Sequence, residues 1–422
     1  MWNQVSNGTG TAKTYSLTSP ALVDPDITWE RVHQFDVGID FTLLNSRISG
    51  AIDYYNNLTT NSLYAQAVSP LANMSNTSHV RNCAQVRNSG IEFELSTDII
   101  RTRDFTWNLS LNATHFSTIL AGVPESQLPA WDRQTSELPE GTWTAASETW
   151  ATSGGQNAGQ GKLYLRGIGR DLYNIYLYKY AGVDEKSGLP MYWHHVVYGD
   201  VHPDADGKYL HGGRYSQYAE GEDVKTLITA DASQYEYGSA TPDIMGGLTS
   251  TIRWRNWDFS TVWAFQIGGK FFSREFGEMM YRTSSLAADW NKGDSWVAAE
   301  TVGATFNETN TGAYYPMQWW ANGQTCRYDG DTIGSWQFTD MALFNASYLR
   351  MKNITLGYTV PKKVLDRVKI GGLRVYVSAD NLVFFSAHKG IDPSLSAVGG
   401  FDVAQCVYPQ IANVVFGVKL DF

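Results

Sequence analysis

No apolar run of about 18 residues, the length a membrane-crossing helix needs, occurs in the 422 residues of this chain. Mean hydropathy is only −0.29. A transmembrane helix is therefore excluded, whereas a membrane β-barrel is not, because its strands alternate apolar and polar residues and average out on such a scale. Charge is also scarce, at 18% of residues, and the 32 Lys and Arg are outnumbered by 42 Asp and Glu. A net charge of −10 leaves no basic face to neutralise phosphates, so nucleic acid is excluded as a partner. The three cysteines, Cys83, Cys326 and Cys406, are widely spaced and form neither a disulfide framework nor a zinc motif. The start, Met1-Trp2-Asn3-Gln4, lacks the basic and apolar regions of an export signal.

Aromatic residues are plentiful: 24 Tyr, 15 Trp and 18 Phe, too many for a disordered chain. They fall into a pattern of period two. Apolar residues occupy odd positions at Phe35, Val37, Ile39, Phe41 and Leu43, then even positions at Ile48, Ile52 and Tyr54, with Asp36, Asp40, Ser49 and Asp53 between them. Such alternation gives a strand one apolar and one polar face. A tight turn at Asn45-Ser46 sets Leu43 opposite Ile48, Ile39 opposite Ile52 and Val37 opposite Tyr54, apolar against apolar throughout. Around Arg255-Asn256 the same arithmetic pairs Trp254 with Trp257, Ile252 with Phe259, Leu248 with Trp263 and Ile244 with Ile267. A three-residue turn at Arg101-Thr102-Arg103 pairs Ile99 with Phe105, Leu95 with Leu109 and Phe93 with Leu111.

Nine strands are predicted, at 33–44, 47–57, 89–100, 104–116, 243–254, 257–269, 346–360, 373–384 and 411–422. Most are longer than the ~5–6 residues usual in soluble sheets and match a tilted bilayer crossing. Short connections (45–46, 101–103, 255–256, 361–372) alternate with long ones (58–88, 117–242, 270–345, 385–410). The outer-membrane pattern puts short turns in the periplasm and long loops outside the cell. The parity makes 1–32 the end of an extracellular loop. An odd number of strands does not close a single-chain bacterial barrel, so the expectation is an all-β, antiparallel transmembrane barrel, of which residues 1–422 are the C-terminal part.

Phe105, Trp107, Trp254, Trp257 and Tyr358, with Phe422, cluster at the predicted periplasmic strand ends, and Phe35, Tyr54, Phe116, Phe265 and Phe384 lie near the other ends. Two aromatic girdles at the membrane interfaces explain this; aromatic strand ends of a soluble β-sandwich are the alternative. The opposite face carries Asp36, Asp40, Asp53, Glu92, Glu94, Asp98, Asn108, Ser110 and Asn112 and suits a wet lumen.

His194, His195 and His202, with Asp200, Asp204 and Asp206, invite a metal reading, but the carboxylates form only a fragment of a calcium loop. Polar decoration of a surface loop is the expectation, and no metal site or cofactor is assigned. Gly268-Gly269-Lys270 lacks the spacing of a phosphate loop, GxSxG and HExxH are absent, and Glu92 and Glu94 read as lumen polarity. No catalytic constellation is present, so the chain is not expected to be an enzyme. Tyr192, Trp193, Trp319 and Trp320 in the long loops are candidate ligand contacts, or else loop interior.

Several segments resemble the SusC/RagA-like TonB-dependent outer-membrane transporters of the Bacteroidetes. They are Ile27-Thr28-Trp29-Glu30, Val86-Arg87-Asn88-Ser89-Gly90-Ile91-Glu92, Tyr178-Lys179-Tyr180-Ala181-Gly182-Val183-Asp184 and Ala240-Thr241-Pro242-Asp243. Most specific is Tyr348-Leu349-Arg350-Met351-Lys352-Asn353-Ile354-Thr355-Leu356-Gly357-Tyr358, followed by Arg374 to Leu382 and Gly390-Ile391-Asp392-Pro393. Gln410-Ile411-Ala412 departs from the usual run after Tyr408-Pro409. The resemblance implies a 22-stranded barrel with an N-terminal plug, import of oligosaccharides or peptides driven by the TonB-ExbB-ExbD complex, and a SusD-like surface lipoprotein as lid. Plug, TonB-contacting segment and signal peptide are expected N-terminal to this chain. Rival readings are a siderophore or vitamin receptor of the wider TonB-dependent class and a soluble all-β glycan-binding module. In the last strand Val414, Phe416, Val418, Leu420 and Phe422 form the lipid face, with Gly417 inward. Resemblance to outer-membrane proteins in general implies that this strand is the signal for the barrel-assembly machinery.

Overall fold

The computed structural model describes residues 2–5, 14–17, 26–67, 78–122, 164, 169–203, 207–228, 231–273, 276, 315, 326–328, 331–333, 339–365, 370–387, 392–394 and 410–421. Nine strands build one continuous antiparallel wall: β1 (Arg31–Leu43), β2 (Ile48–Ala67), β3 (Ser78–Arg101), β4 (Phe105–Gly122), β5 (Ile244–Trp254), β6 (Trp257–Ile267), β7 (Tyr348–Thr359), β8 (Gly372–Asp380) and β9 (Asn413–Asp421). Each pairs with its neighbour in sequence, from β1 at one edge to β9 at the other. Among the described residues no pairing joins β1 to β9, so the wall is an open part of a barrel.

Two predicted hairpins have the expected register. Leu43 pairs with Ile48, Ile39 with Ile52 and Val37 with Tyr54, and Trp254, Ile252, Leu248 and Ile244 pair with Trp257, Phe259, Trp263 and Ile267. The first closes through Leu44, Asn45 and Ser46, all with positive φ. The third hairpin differs. Leu95 pairs with Leu111, Phe93 with Ala113 and Ile100 with Trp107, because a β-bulge lies between Asp98 and Ile100 and the turn falls at 102–104. Thr102 closes that turn, its hydroxyl and its backbone N–H both donating to the Phe105 carbonyl at 2.9 Å. A bulge inserts an unpaired residue that strict alternation cannot register.

β2, β3 and β4 contain 20, 24 and 18 residues, far beyond the predicted spans. Much of the predicted loop 58–88 is therefore strand, whose polar residues Thr59, Thr60, Asn61 and Ser62 hide the alternation. At the other end of the wall β8 stops at Asp380. Asn381 turns into the left-handed region (φ 54°), and Phe384–Ser386 returns as a short separate strand on β7.

The wall has two chemical faces. Ile52, Phe93, Ala113, Leu248, Trp263, Leu356, Val377 and Phe416 belong to one, much of it exposed. The other is a polar lattice. Asn108 donates to Asp98 at 3.1 Å, and Ser96 and Ser110 share a hydrogen bond of 3.1 Å. Asn353 donates to Ser378 at 2.9 Å and to Asp380 at 2.7 Å. Arg374 on β8 reaches over β7 to Asp258 on β6, donating from Nε at 3.2 Å and Nη2 at 2.5 Å. The bridge passes above Gly357, where a Cβ would lie 2.6 Å from both partners. Only glycine leaves that path open.

The most buried residues are not in the wall. Ile175, Leu177, Tyr192, Phe271, Phe272, Phe276, Met341 and Ala342 form one core drawn from the long connections after β4 and after β6. Strands Asn174–Tyr178 and Gln234–Ser239 pair over it. Tyr180–Val183, Pro190–His195 and Asp223–Thr226 make a second small sheet, and Lys270–Phe272 pairs with Leu343–Asn345. Asp340 ties the two connections together, accepting from the Tyr180 backbone N–H and the Tyr237 hydroxyl, each at 2.9 Å. Burial beside Asp340 pushes the Tyr237 phenol far above its ordinary range, so it remains a donor.

Candidate functional site

At the short-turn rim the chain assembles an aromatic row. Phe105 pairs with Trp254, Trp254 with Trp257, and Trp257 with Tyr358, crossing four strands without a gap. The Trp257 and Tyr358 rings lie 4.7 Å apart. Trp107 sits two pairs inward, opposite Ile252, and its indole N–H donates to Ser250 at 3.0 Å. Trp254 and Trp257 stay exposed on the apolar face. The turns at this rim interlock: the Arg255 N–H donates to the Asp104 carbonyl at 2.8 Å and the Thr359 N–H to the Asn256 carbonyl at 2.9 Å.

Toward the opposite rim Phe35 and Tyr54 meet edge to face at 6.4 Å, and Phe265 shares their face. Phe116 and Phe384 do not. Phe116 pairs with Gly90, against which the Tyr55 ring lies on the polar face. The Phe384 ring lies 4.2 Å beneath the guanidinium of buried Arg350, leaving its neighbour Phe385 on the apolar side. Both were expected among the outward aromatics. Phe384 has the parity of the polar-face residues Ser378 and Asp380 of β8, and Phe116 that of the polar residues of β4.

On β9, Val414, Phe416, Val418 and Leu420 pair with Ala379, Val377, Val375 and Leu373. Phe416 is 81% exposed. Gly417 faces the other way, and a Cβ there would fall on the Tyr376 ring. Phe422 lies outside the described residues.

Of the candidate loop aromatics, Tyr192 is 0% exposed and packs edge to face against Tyr178 at 6.2 Å. It belongs to the loop interior and offers no surface to a ligand. Trp193, next in the chain, points the other way as strand alternation requires. The ammonium groups of Lys179 and Lys225 lie 5.7 and 5.6 Å from its ring. Trp319 and Trp320 lie outside the described residues.

The expected polar decoration at 194–207 is corrected in part. His194 and Asp200 are buried, while His195 and His202 are not; Asp204 and Asp206 lie outside the described residues. The His194 Nε2 atom is 3.0 Å from Asp200 Oδ2, and His211 Nδ1 is 2.7 Å from Asp200 Oδ1. His194 Nδ1 lies 2.5 Å from the Asp231 carbonyl. The Asp231 carboxylate accepts from Arg214 at 2.9 Å and from the Tyr215 hydroxyl at 2.9 Å. Burial pulls the His194 imidazole below its ordinary pKa, against the opposing pull of Asp200. Sequence reading missed His211, Arg214 and Tyr215. Only the Gly212-Gly213 pair after His211 hinted at a special backbone.

Residues 2–184 match the family described as TonB dependent receptor-like, beta-barrel. The chain is 23% identical over 411 residues, 95% of its length, to TonB-dependent receptor P3 of Formosa agariphila. It is 25% identical over 415 residues, 97% of its length, to TonB-dependent receptor SusC of Bacteroides thetaiotaomicron. These alignments cover 35% and 33% of the two relatives, so the chain spans about a third of their length. Among solved structures, that of the RagAB peptide transporter superposes with a TM-score of 0.67 at 22% identity, covering 100% of this chain and 38% of that one. The RagAB peptide importer in its open-open state gives 0.60 over the same shares.

Proposed function

We propose that this chain, an outer-membrane β-barrel segment of a TonB-dependent receptor of the SusC/RagA type, lines the route by which oligosaccharides or peptides are imported. The observation that carries the reading is the two-faced wall. Its apolar face is continuous across nine strands and belongs against lipid. Its other face is a lattice of carboxylates, amides and hydroxyls, which suits water, a plug or a polar solute.

In this reading Phe105, Trp107, Trp254, Trp257 and Tyr358 are the periplasmic girdle, placed where amphipathic rings prefer to sit. The paired core of the two long connections stands on the extracellular side, within reach of substrate and of a SusD-like lipoprotein lid. Energy enters from the TonB-ExbB-ExbD complex through a plug, neither of which these strands supply. Val414, Phe416, Gly417, Val418, Leu420 and Phe422 present the closing strand to the barrel-assembly machinery. The wall performs no bond chemistry; it holds a solute path open through the bilayer.

Deletion of the gene in its own host tests the reading, with growth on single oligosaccharides and on peptides as the measurement. Loss of growth on one of these classes, restored by the intact gene and abolished again without TonB, is the expected result. Undiminished growth on every substrate, or recovery of the intact product from the soluble fraction without detergent, overturns it.

A further inference from the structure

Two imidazoles and a carboxylate converge beneath the surface of the loop module. They come from three different pieces of chain: His194 from the strand Pro190–His195, Asp200 from the one-turn helix Tyr198–Val201, and His211 from the 3₁₀ segment Leu210–Gly213. Their ligand atoms all lie within 4.8 Å of one another, the only such group of metal-binding type among the described residues. The His194 and Asp200 side chains are 2% and 0% exposed, and that of His211 is 21% exposed.

The proton bookkeeping of His194 is the second observation. Its Nδ1 faces the Asp231 carbonyl at 2.5 Å. A carbonyl only accepts, so Nδ1 carries the hydrogen. In a neutral ring Nε2 is then a bare lone pair, yet it points at Asp200 Oδ2, another acceptor, at 3.0 Å. Two lone pairs do not face each other at that distance in a dry site without a proton or a metal cation between them. A metal cation shared with His211, whose Nδ1 lies 2.7 Å from the other oxygen of the same carboxylate, would satisfy these acceptors together.

The surroundings are those of a metal ligand. A histidine ligand typically donates its other ring N–H to a backbone carbonyl, which fixes tautomer and orientation, as His194 does toward Asp231. The Tyr215 ring lies 4.0 Å from the His194 ring at a tilt of 32° and packs against it. The Val197 backbone N–H donates to Asp200 Oδ2 at 3.0 Å, leaving lone pairs on both carboxylate oxygens. His211 takes the left-handed conformation (φ 54°) that aims its ring at Asp200.

We propose that His194 Nε2, His211 Nδ1 and the Asp200 carboxylate bind one divalent transition-metal ion of the zinc class, with a fourth position open to solvent beside His211. Nitrogen and carboxylate donors in this ratio suit such an ion. At bond lengths of about 2.0–2.1 Å, tetrahedral ligand atoms lie roughly 3.3 Å apart. The observed 2.7 and 3.0 Å separations therefore open by a few tenths of an ångström, within reach of small side-chain rotations. The ion would staple together the end of a strand, a one-turn helix and a 3₁₀ segment. The site stands apart from the import reading, which neither requires nor predicts it.

The test uses the full-length protein in detergent, stripped with a chelator and dialysed. Titration with Zn²⁺ is expected to show one tight site per chain, and Co²⁺ the strong visible absorption of a tetrahedral centre. His211→Asn keeps a residue that tolerates positive φ but removes the ring nitrogen, and is expected to weaken Zn²⁺ binding at least ~100-fold. His202→Gln, at an exposed histidine outside the cluster, serves as control and leaves binding unchanged. Chelation should also speed proteolysis within 194–231 in the wild type but not in His211→Asn. Absence of a stoichiometric site in the wild type, or equal binding by His211→Asn, overturns the proposal. So does loop protection that depends on pH alone and not on metal, which would assign the charge to a second proton on His194.

Discussion

Two adjacent residues on β5 give the sharpest test of the wall. Leu248 pairs with Leu111 and Trp263 on the apolar face, and Thr249 pairs with Ser110 and Val262 on the polar one. Leu248 lies six residues from Trp254. At ~3.3 Å per residue that is about 20 Å of strand, or about 14 Å along the membrane normal at a tilt of ~45°. With Trp254 at the interface, Leu248 falls near the middle of an apolar band about 25 Å tall. Leu248→Arg therefore meets the full midplane penalty of ~2–4 kcal/mol, whereas Thr249→Arg places the same charge in the lumen at ~0–1 kcal/mol. The folding equilibrium of the first should drop roughly 30- to 900-fold relative to wild type. The assay is urea titration of the full-length protein refolded into lipid vesicles, read by the mobility shift of the folded barrel on unheated gels. If Thr249→Arg costs as much as Leu248→Arg, or Leu248→Arg costs nothing, the facing of the wall is wrong.

Gly417→Ala should destabilise the barrel by ~1–3 kcal/mol, because the new methyl falls on the Tyr376 ring; adding Tyr376→Ser should recover most of that in the same titration. Arg374→Ala and Asp258→Ala should each cost about 1 kcal/mol, with a double-mutant coupling that shrinks in high salt, since both partners are about a third exposed. Tyr192→Ala should cost ~3–5 kcal/mol in the loop core and expose 171–240 to protease while the mobility shift persists; loss of that shift would mean that wall and loop core fold as one unit. Deleting Phe422 from the full-length protein should lower surface-exposed barrel in whole cells, and unchanged levels would remove its role in assembly.

The sequence by itself determined the wall. A β-strand repeats every two residues, so the side on which Ile39, Ile52, Leu248 or Val418 lies is a local property, readable from a few neighbours. Tight turns then convert parity into register, which is why Leu43 and Ile48, and Trp254 and Trp257, could be paired in advance. The reading slipped at the bulge beside Ile99, where one residue too many enters a strand, and at Asn381, where a left-handed turn ends a strand that the pattern carried on to 384, because alternation carries no record of either. Only the tertiary structure decided the rest. Tyr192 and Phe271 share a core although 78 residues of chain separate them, and Asp340 receives hydrogen bonds from residues 160 and 103 positions away. No periodicity marks such contacts, since closing a long loop leaves its residues free to meet in any order. The same holds for the His194, Asp200 and His211 cluster. As letters they are polar residues of a long loop; their burial, and the two acceptors that face one imidazole, exist only once the chain has closed around them.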